Sequence, residues 1–248
     1  MQYVGLGSGV HELATSDSWR HNYSFSLLYN PATPSLNLTT EWGTVIPFTF
    51  AGGATWTSNP GYGLYLTITV NANSFLLTDK YGNWIMFDAI GRPTQIGDYH
   101  SANTITLAYY TNGIPAGLLW TVTDIWGRQI ELIYDVNAFL VNVIDHTQTG
   151  SPSWLVVSYT GTNLTCIQKG YTSGAVFAFD VFNYNVSNQL NWHVDPDGVT
   201  TAFYWTGTQM TSSNDATSAV WSFVYNIGNT VFTDRRGSEY TYYYDAST

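Results

Sequence analysis

The sequence predicts an all-β protein built from stacked antiparallel β-hairpins, and three observations lead to this prediction. Aromatic residues make up 17% of the 248 residues, with 19 Tyr, 12 Phe and 10 Trp, and they suit the half-buried faces of sheets. No long stretch has the 3.6-residue apolar periodicity of an amphipathic helix. Short alternating segments are separated by a recurring turn in which Gly follows Asp by three positions.

Residues 1–75 are predicted to form a β-rich lead-in domain that covers or starts the hairpin array. Segments 23–29 and 64–70 alternate between apolar and polar residues, as strands with one buried face do. Proline and glycine turn signals separate such segments at 30–34, 52–53 and 59–61.

Residues 76–248 are predicted to form the hairpin array itself. In each repeat an Asp opens a turn, a Gly follows, and an aromatic strand comes next. The Asp side chain accepts backbone N–H bonds from residues just ahead of it, and Gly supplies the positive φ that a tight hairpin needs. The structural turn residues predicted in this way are Asp79, Gly82, Asp88, Gly91, Arg92, Asp124, Gly127, Arg128, Asp135, Asp195, Gly198, Asp234, Gly237 and Asp245.

Four of the five arginines lie beside a turn Gly, namely Arg92, Arg128, Arg235 and Arg236. We expect them to reach the Asp of a neighbouring turn and to form stacked ion pairs. Exposed pairs of this kind contribute on the order of 0–1 kcal/mol each, so their predicted role is to fix strand register.

Two stretches carry the repeat almost end to end, residues 124–145 and residues 189–204. They resemble the rearrangement-hotspot (RHS) or YD-repeat family, whose repeat reads approximately aromatic-x-Tyr-Asp-x-x-Gly-Arg-Leu-x-x-Val-x-Asp-x-x-Gly. Residues 19–27 also look like the segment that precedes the first repeats in such proteins. The resemblance implies hairpins that wind into a spiral sheet, often closing into a hollow shell that encapsulates a toxin, or forming adhesive extracellular modules. This chain is far shorter than a closing shell.

Charge is scarce in this sequence. Charged residues make up 10% of it, against roughly 25% in an average soluble protein. The net charge is −10 with only two lysines, so a phosphate backbone would be repelled and nucleic acid is not an expected partner. No run of 18 apolar residues occurs, so no membrane span is predicted.

An extracellular or cell-surface location is expected. Four glycosylation sequons, at Asn22, Asn37, Asn163 and Asn185, would be acceptors in a secreted chain, although a sequence this rich in Asn, Ser and Thr produces several by chance. The single Cys166 excludes an intramolecular disulfide and is expected to be a buried small residue.

The residue pattern predicts no catalytic or cofactor-binding site. Five scattered histidines lack metal-ligand spacing. Asp195 and Asp197 form a weak Ca²⁺ candidate, but an isolated Asp-x-Asp-Gly is more often a turn. Most Asp residues are explained by turns, which leaves few carboxylates for glycoside hydrolysis.

Three classes of function therefore remain. The leading prediction is a non-enzymatic extracellular structural protein whose sheet assembles with further copies into a filament or shell, because open strand edges pair with other chains. The alternatives are a carbohydrate-binding adhesin module and a fragment of a toxin-encapsulating RHS shell. The adhesin would stack sugars on exposed rings drawn from Trp42, Trp56, Trp84, Trp126, Trp154 and Trp192.

Overall fold

A computed structural model describes residues 2–3, 19–20, 22–59, 65–100, 103–113, 116–147, 152–171, 176–215, 217 and 220–244. All the regular secondary structure in these ranges is β-strand, which confirms the all-β prediction. Within the same ranges, no helix has the length and apolarity needed to cross a membrane. The chain divides into two compact units: unit 1 is residues 1–155 with 171–173, and unit 2 is residues 156–170 with 174–248.

Unit 1 contains fourteen strands within the described residues. They are β1 Gln2–Tyr3, β2 Trp19–Arg20, β3 Ser26–Asn30, β4 Ser35–Thr39, β5 Val45–Gly52, β6 Thr55–Ser58, β7 Thr67–Asn71, β8 Ser74–Thr78, β9 Trp84–Asp88, β10 Pro93–Gly97, β11 Thr104–Tyr109, β12 Leu119–Asp124, β13 Gln129–Tyr134 and β14 Leu140–Asp145. β1 pairs with β2, and from β3 to β14 each strand pairs antiparallel with the next one along the chain.

The first core of unit 1 lies between the strands from β3 to β9. Alternate residues of these strands point into it, such as Leu36 and Leu38 of β4, while Phe87 of β9 is completely buried. Burial of each such side chain contributes about 1.5–3 kcal/mol. The backbone N–H of Leu27 in β3 donates to the carbonyl of Gly91, 2.9 Å away, in the turn after β9. This part of the sheet therefore curls until its first strand touches the turn after its seventh.

That core crosses the boundary predicted between residues 75 and 76. It includes Leu27 on one side of the boundary and both Leu77 and Phe87 on the other. A second core, containing Leu107, Leu119, Leu132 and Leu140, packs along β11–β14. The first core thus includes residues on both sides of position 75, and the compact units divide near residue 155.

Strand β15 Ser153–Thr160 runs across the division between the units, and the later strands belong to unit 2 apart from Tyr171. They are β16 Asn163–Tyr171, β17 Val176–Tyr184, β18 Leu190–Val194, β19 Thr200–Thr206, β20 Gln209–Asn214, β21 Val220–Asn226, β22 Asn229–Thr233 and β23 Glu239–Tyr243. From β16 to β23 each strand again pairs antiparallel with the next.

The last five strands of unit 2 have little buried surface. Of all the side chains in β19–β23, only that of Ser213 is buried. Aromatic residues at paired positions stabilise these strands instead: the ring centroids of Phe223 and Phe232 are 5.2 Å apart, and those of Phe232 and Tyr240 are 6.0 Å apart. Such cross-strand pairs contribute roughly 0.2–1 kcal/mol each.

Candidate functional site

A single five-residue turn recurs along the described parts of the chain. The N–H of its first residue donates to the carbonyl of the fifth, and the N–H of its fourth residue donates to the carbonyl of the first. The fourth residue has a positive φ in every copy, between 57° and 86°. The copies are residues 40–44, 79–83, 88–92, 124–128, 135–139, 185–189, 195–199 and 234–238.

The predicted turn residues occupy the first, fourth and fifth positions of these turns. In the turn at Asp79, one carboxylate oxygen accepts from the N–H of Tyr81 at 2.8 Å and from that of Asn83 at 2.9 Å. The same pair of bonds forms at Asp88, Asp124, Asp135, Asp195 and Asp234. Gly82, Gly91, Gly127, Gly198 and Gly237 supply the positive φ. Asp245 lies outside the described residues.

Two copies of the turn were not predicted from the sequence. In one, Asn185 replaces Asp and Asn188 takes the positive φ, which Asn tolerates better than most residues. In the other, Thr40 opens the turn and Gly43 has a φ of 80°. Allowing Asn in place of Asp at the first position and in place of Gly at the fourth would have found the Asn185 copy.

The arginines pair differently from the prediction. Arg92 binds Asp88 at 2.8 Å and Arg128 binds Asp124 at 2.5 Å, so each pairs with the Asp of its own turn. The expectation of pairs between neighbouring turns is wrong for these two residues, because the fifth residue of the turn projects beside the first. Arg235 does reach another loop, where it binds Asp215 at 2.8 Å.

The turn geometry also lowers the pKa of several Asp carboxyl groups. For Asp79 and Asp124, burial alone would raise the pKa of the carboxyl group. Hydrogen bonds to the charged carboxylate outweigh this effect; the side chain of Asn83 donates to Asp79, and that of Arg128 donates to Asp124. For Asp234 the backbone N–H of Ser238 is the main cause of the lower pKa. These carboxylates are therefore held in the charged form by their own turns.

The weak Ca²⁺ candidate has the same turn geometry as the other copies. Asp195 accepts from the N–H groups of Asp197 and Val199, at 3.0 and 2.8 Å. Within the described residues, no three His, Cys, Asp or Glu side chains are grouped in a way that could hold a metal ion. The structure thus assigns Asp195 a structural role in its turn.

The four sequons differ in the environment of the Asn side chain. Asn22 is exposed in a turn, whereas Asn37 is half-buried within β4. The amide nitrogen of Asn163 donates to Asn188 at 3.1 Å, and that of Asn185 donates to Gln189 at 2.8 Å. Asn22 is the sequon whose side chain is most accessible to a glycosyltransferase.

Within the described residues, two histidines have a ring nitrogen close to a carboxylate. His146 lies 3.0 Å from Glu131, which also accepts from the indole N–H of Trp120 at 3.2 Å. His193 lies 2.9 Å from Asp180 and stacks on Phe182 with 4.8 Å between ring centroids. Each of these histidines thus contacts a single carboxylate at the partly exposed surface of the sheet.

The exposed aromatic residues of unit 1 are concentrated along one edge of its sheet. Consecutive antiparallel strands reverse direction, so the turns after even-numbered strands lie on one edge and those after odd-numbered strands on the other. Five of the turns that follow even-numbered strands carry a large aromatic residue that is 57–69% exposed. They are Trp42 after β4, Tyr65 after β6, Tyr81 after β8, Tyr99 after β10 and Trp126 after β12. We call this set the aromatic edge.

The opposite edge of unit 1 has a different composition. In the described turns of this edge, the exposed large side chains are the aliphatic Ile90 and Val136, while the exposed Phe50 lies within β5. Tyr110 and Phe139 lie in turns of this edge but are half-buried. The five-residue turn occurs on both edges, so the aromatic residues rather than the turn distinguish one edge from the other.

Only part of the aromatic edge was predicted from the sequence. Of the six tryptophans proposed as sugar-stacking residues, Trp42 and Trp126 are on the edge and exposed, whereas Trp56 is buried in the first core. Trp84, Trp154 and Trp192 are half-buried within strands. The tyrosines of the edge could have been found by assigning alternate turns to alternate edges.

Comparison with known proteins gives no family assignment. No protein-family model matches the sequence, and no curated protein matches it. Among solved structures, a porin-like protein from Bacteroides uniformis aligns at 12% identity over 90% of this chain and 96% of its own, with a TM-score of 0.31. The TcdB2-TccC3-Cdc42 complex aligns at 10% identity over 86% of this chain and 18% of its own, with a TM-score of 0.21. TcdB2-TccC3 without its hypervariable C-terminal region aligns at 9% identity over 86% of this chain and 17% of its own, with a TM-score of 0.25. With TM-scores this low, membership of the YD-repeat family stays a prediction that rests on the repeated turns.

Proposed function

We propose that this chain is a non-enzymatic structural protein of the cell exterior, whose hairpin sheet joins further copies through the edge of β23. The observation that carries the proposal is the state of this strand. β23 pairs with β22 on one side, and among the described residues no strand register is found for its other side. All five of its side chains are exposed.

The backbone groups that face outward follow from the strand register. Asp234 donates to Ser238 at one end of the β22–β23 hairpin, and Tyr244 donates to Gly228 at the other. In an antiparallel pair, residues whose backbone N–H and carbonyl groups bind the partner strand alternate with residues whose backbone groups point away from it. The N–H and carbonyl groups of Glu239, Thr241 and Tyr243 therefore point away from β22, where a strand of another chain can bind them.

A second copy of β23 is a suitable partner for this edge. Antiparallel self-pairing centred on Thr241 places Tyr240 of one copy opposite Tyr242 of the other. The row of ring contacts from Phe223 through Phe232 to Tyr240 would then continue across the interface. The only charge on the strand, Glu239, falls opposite Tyr243 of the other copy, so like charges do not meet.

Head-to-tail growth would need a second open edge, for which the first long strand is the candidate. In β3 the N–H of Leu27 already donates to Gly91 within the same unit. This contact favours pairing of β23 with β23 over addition of β23 to β3. A filament or shell would then form from such pairs through a further contact.

Analytical ultracentrifugation over a concentration series tests the proposal, with negative-stain electron microscopy of the same samples. About five residues a side is well below the roughly 20–30 residues of a standard interface, so we expect weak, concentration-dependent association. Thr241→Pro removes an outward N–H without breaking a bond to β22, so it should abolish association and leave the fold intact. Thr241→Val keeps the N–H and serves as the matched control. A wild-type chain that stays monomeric at high concentration, or a proline variant that associates normally, contradicts the proposal.

A further inference from the structure

We propose that the aromatic edge of unit 1 binds an extended, uncharged polysaccharide by stacking sugar rings on its exposed side chains. This inference uses a different unit and different residues from the β23 edge, so it does not depend on self-association. The arrangement of the five aromatic side chains, the contacts that support them and the charge around them all favour a glycan as the ligand.

The five rings of the aromatic edge follow one another at regular intervals. Neighbouring strands lie about 4.8 Å apart, so turns two strands apart on one edge follow each other at roughly 9.5 Å. Five successive turns of this kind carry an exposed Trp or Tyr. This spacing is close to the length of a two-sugar unit in an extended β-linked glycan, so alternate sugars can stack on successive side chains.

Neighbouring turns of the aromatic edge contact one another through these side chains. The Nζ atom of Lys80 lies 5.5 Å from the ring centroid of Tyr65 and 4.8 Å from that of Tyr81. A Cβ atom added to Gly82 would lie 2.4 Å from Cδ2 of Tyr99, which shows how closely this ring packs on the turn. Three successive turns are thereby linked into one surface.

Trp126 is also held in place. The guanidinium carbon of Arg128 lies 4.9 Å from the Trp126 ring centroid, and Asp124 holds the same guanidinium at 2.5 Å. A ring that is fixed before binding loses less conformational entropy when a ligand stacks on it. The other face of the indole is available, because 67% of this residue is exposed.

The charged groups on the aromatic edge and the net charge of the protein favour an uncharged ligand. Asp79 and Asp124 lie on this edge, but their carboxylates already accept hydrogen bonds within their own turns. Lys80 is positioned over two tyrosine rings. The net charge of the protein is −10, which opposes binding of nucleic acid, acidic glycans and anionic lipid. An uncharged ligand with many hydroxyl groups and flat apolar faces fits these conditions.

Tyrosine and tryptophan are also common where proteins meet lipid bilayers, so a membrane surface is the competing ligand. Three of the five edge residues are tyrosines, and the exposed aliphatic residues next to them on this edge are Ile125 and Val45. Insertion into a bilayer would be driven by a larger aliphatic surface than this. The composition therefore favours sugar stacking.

Affinity electrophoresis of the intact chain tests the proposal, using gels that contain a mixed-linkage β-glucan, a galactomannan or an anionic pectate. Wild-type protein should be retarded by at least one of the two uncharged polysaccharides and not by pectate. Tyr81→Ala and Trp126→Ala should each weaken this retardation about tenfold, as expected for the loss of one stacked ring. Ile90→Ala is the matched control, because Ile90 occupies the same turn position as Tyr81 on the opposite edge.

Three results would overturn the proposal. The first is a wild-type chain that neither uncharged polysaccharide retards. The second is an equal loss of retardation in Tyr81→Ala and Ile90→Ala, and the third is binding to phosphatidylcholine vesicles in place of the polysaccharides. The Thr241→Pro variant separates this site from self-association, since it should remain monomeric and still bind the glycan.

Discussion

The contact between Leu27 and Gly91 offers the sharpest test of how unit 1 is held together. Gly91 has a φ of 86°, and a Cβ atom added to it would lie 1.8 Å from the carbonyl oxygen of Leu27. Gly91→Ala therefore forces β3 away from the turn after β9. Gly127→Ala is a matched control, since Gly127 occupies the same turn position with a φ of 79° and has nothing within 4 Å of an added Cβ.

The expected difference between the two variants follows from the interactions that each one loses. Both place an L-residue at positive φ, which costs roughly 1–2 kcal/mol. Gly91→Ala additionally breaks the hydrogen bond from Leu27, worth about 1 kcal/mol. It also displaces the Leu27 side chain, which is 4% exposed and whose burial contributes about 1.5–3 kcal/mol. We expect Gly91→Ala to lower the free energy of unfolding by about 2–4 kcal/mol more than Gly127→Ala.

Urea unfolding of both variants measures this difference. Amide hydrogen exchange adds a local readout, because the Leu27 N–H should lose protection in Gly91→Ala and keep it in Gly127→Ala. Equal destabilisation of the two variants, with an unchanged Leu27 amide, would refute the idea that β3 is held against the turn after β9.

Three further predictions concern the repeated turn. Ala138 has a φ of 65°, so Ala138→Gly should relieve strain and raise the free energy of unfolding by about 0.5–1 kcal/mol in urea titrations; a decrease would mean that the backbone is unstrained there, because Gly then adds only conformational entropy to the unfolded chain. Asp88→Ala removes two backbone hydrogen bonds and the Arg92 pair, and should cost about 1–2 kcal/mol, while Asp88→Asn keeps the backbone bonds and should cost less than half as much. Because folding lowers the pKa of Asp79, Asp124 and Asp234, the stability that they provide is present above their unfolded pKa of about 3.9 and is lost as the pH falls below it. Unfolding followed from pH 7 to pH 2 should therefore depend less on pH in the triple Asn variant, and equal curves would contradict this reading.

The local features of the fold could be predicted from the sequence because they depend on neighbouring residues. Asp79 and Gly82 define a turn within five residues, and the alternation of Leu36 and Leu38 defines a buried strand face. The turn at Asn185 was harder to predict, because Asn can replace Asp as an acceptor and Asn188 can replace Gly at positive φ. Ala138 gives no sequence signal for the positive φ that it adopts.

The features that depend on distant residues could not be predicted. Leu27 and Gly91 are brought together by the curl of the intervening strands, which no local pattern specifies. The preference of Arg92 for Asp88 over a neighbouring turn depends on side-chain direction at the fifth turn position. The aromatic edge needed correct strand counting, since Tyr65 and Tyr99 lie in turns without the Asp–Gly signature.

The regular alternation of the two edges constrains how such a chain can change in length. Duplication or loss of a complete hairpin shifts every later turn by two strands and returns it to the edge that it occupied before. Gain or loss of a single strand would move every later turn to the other edge, so that Tyr81 or Trp126 would exchange places with residues such as Ile90. A chain of this kind can therefore be lengthened in steps of two strands while keeping one aromatic edge continuous.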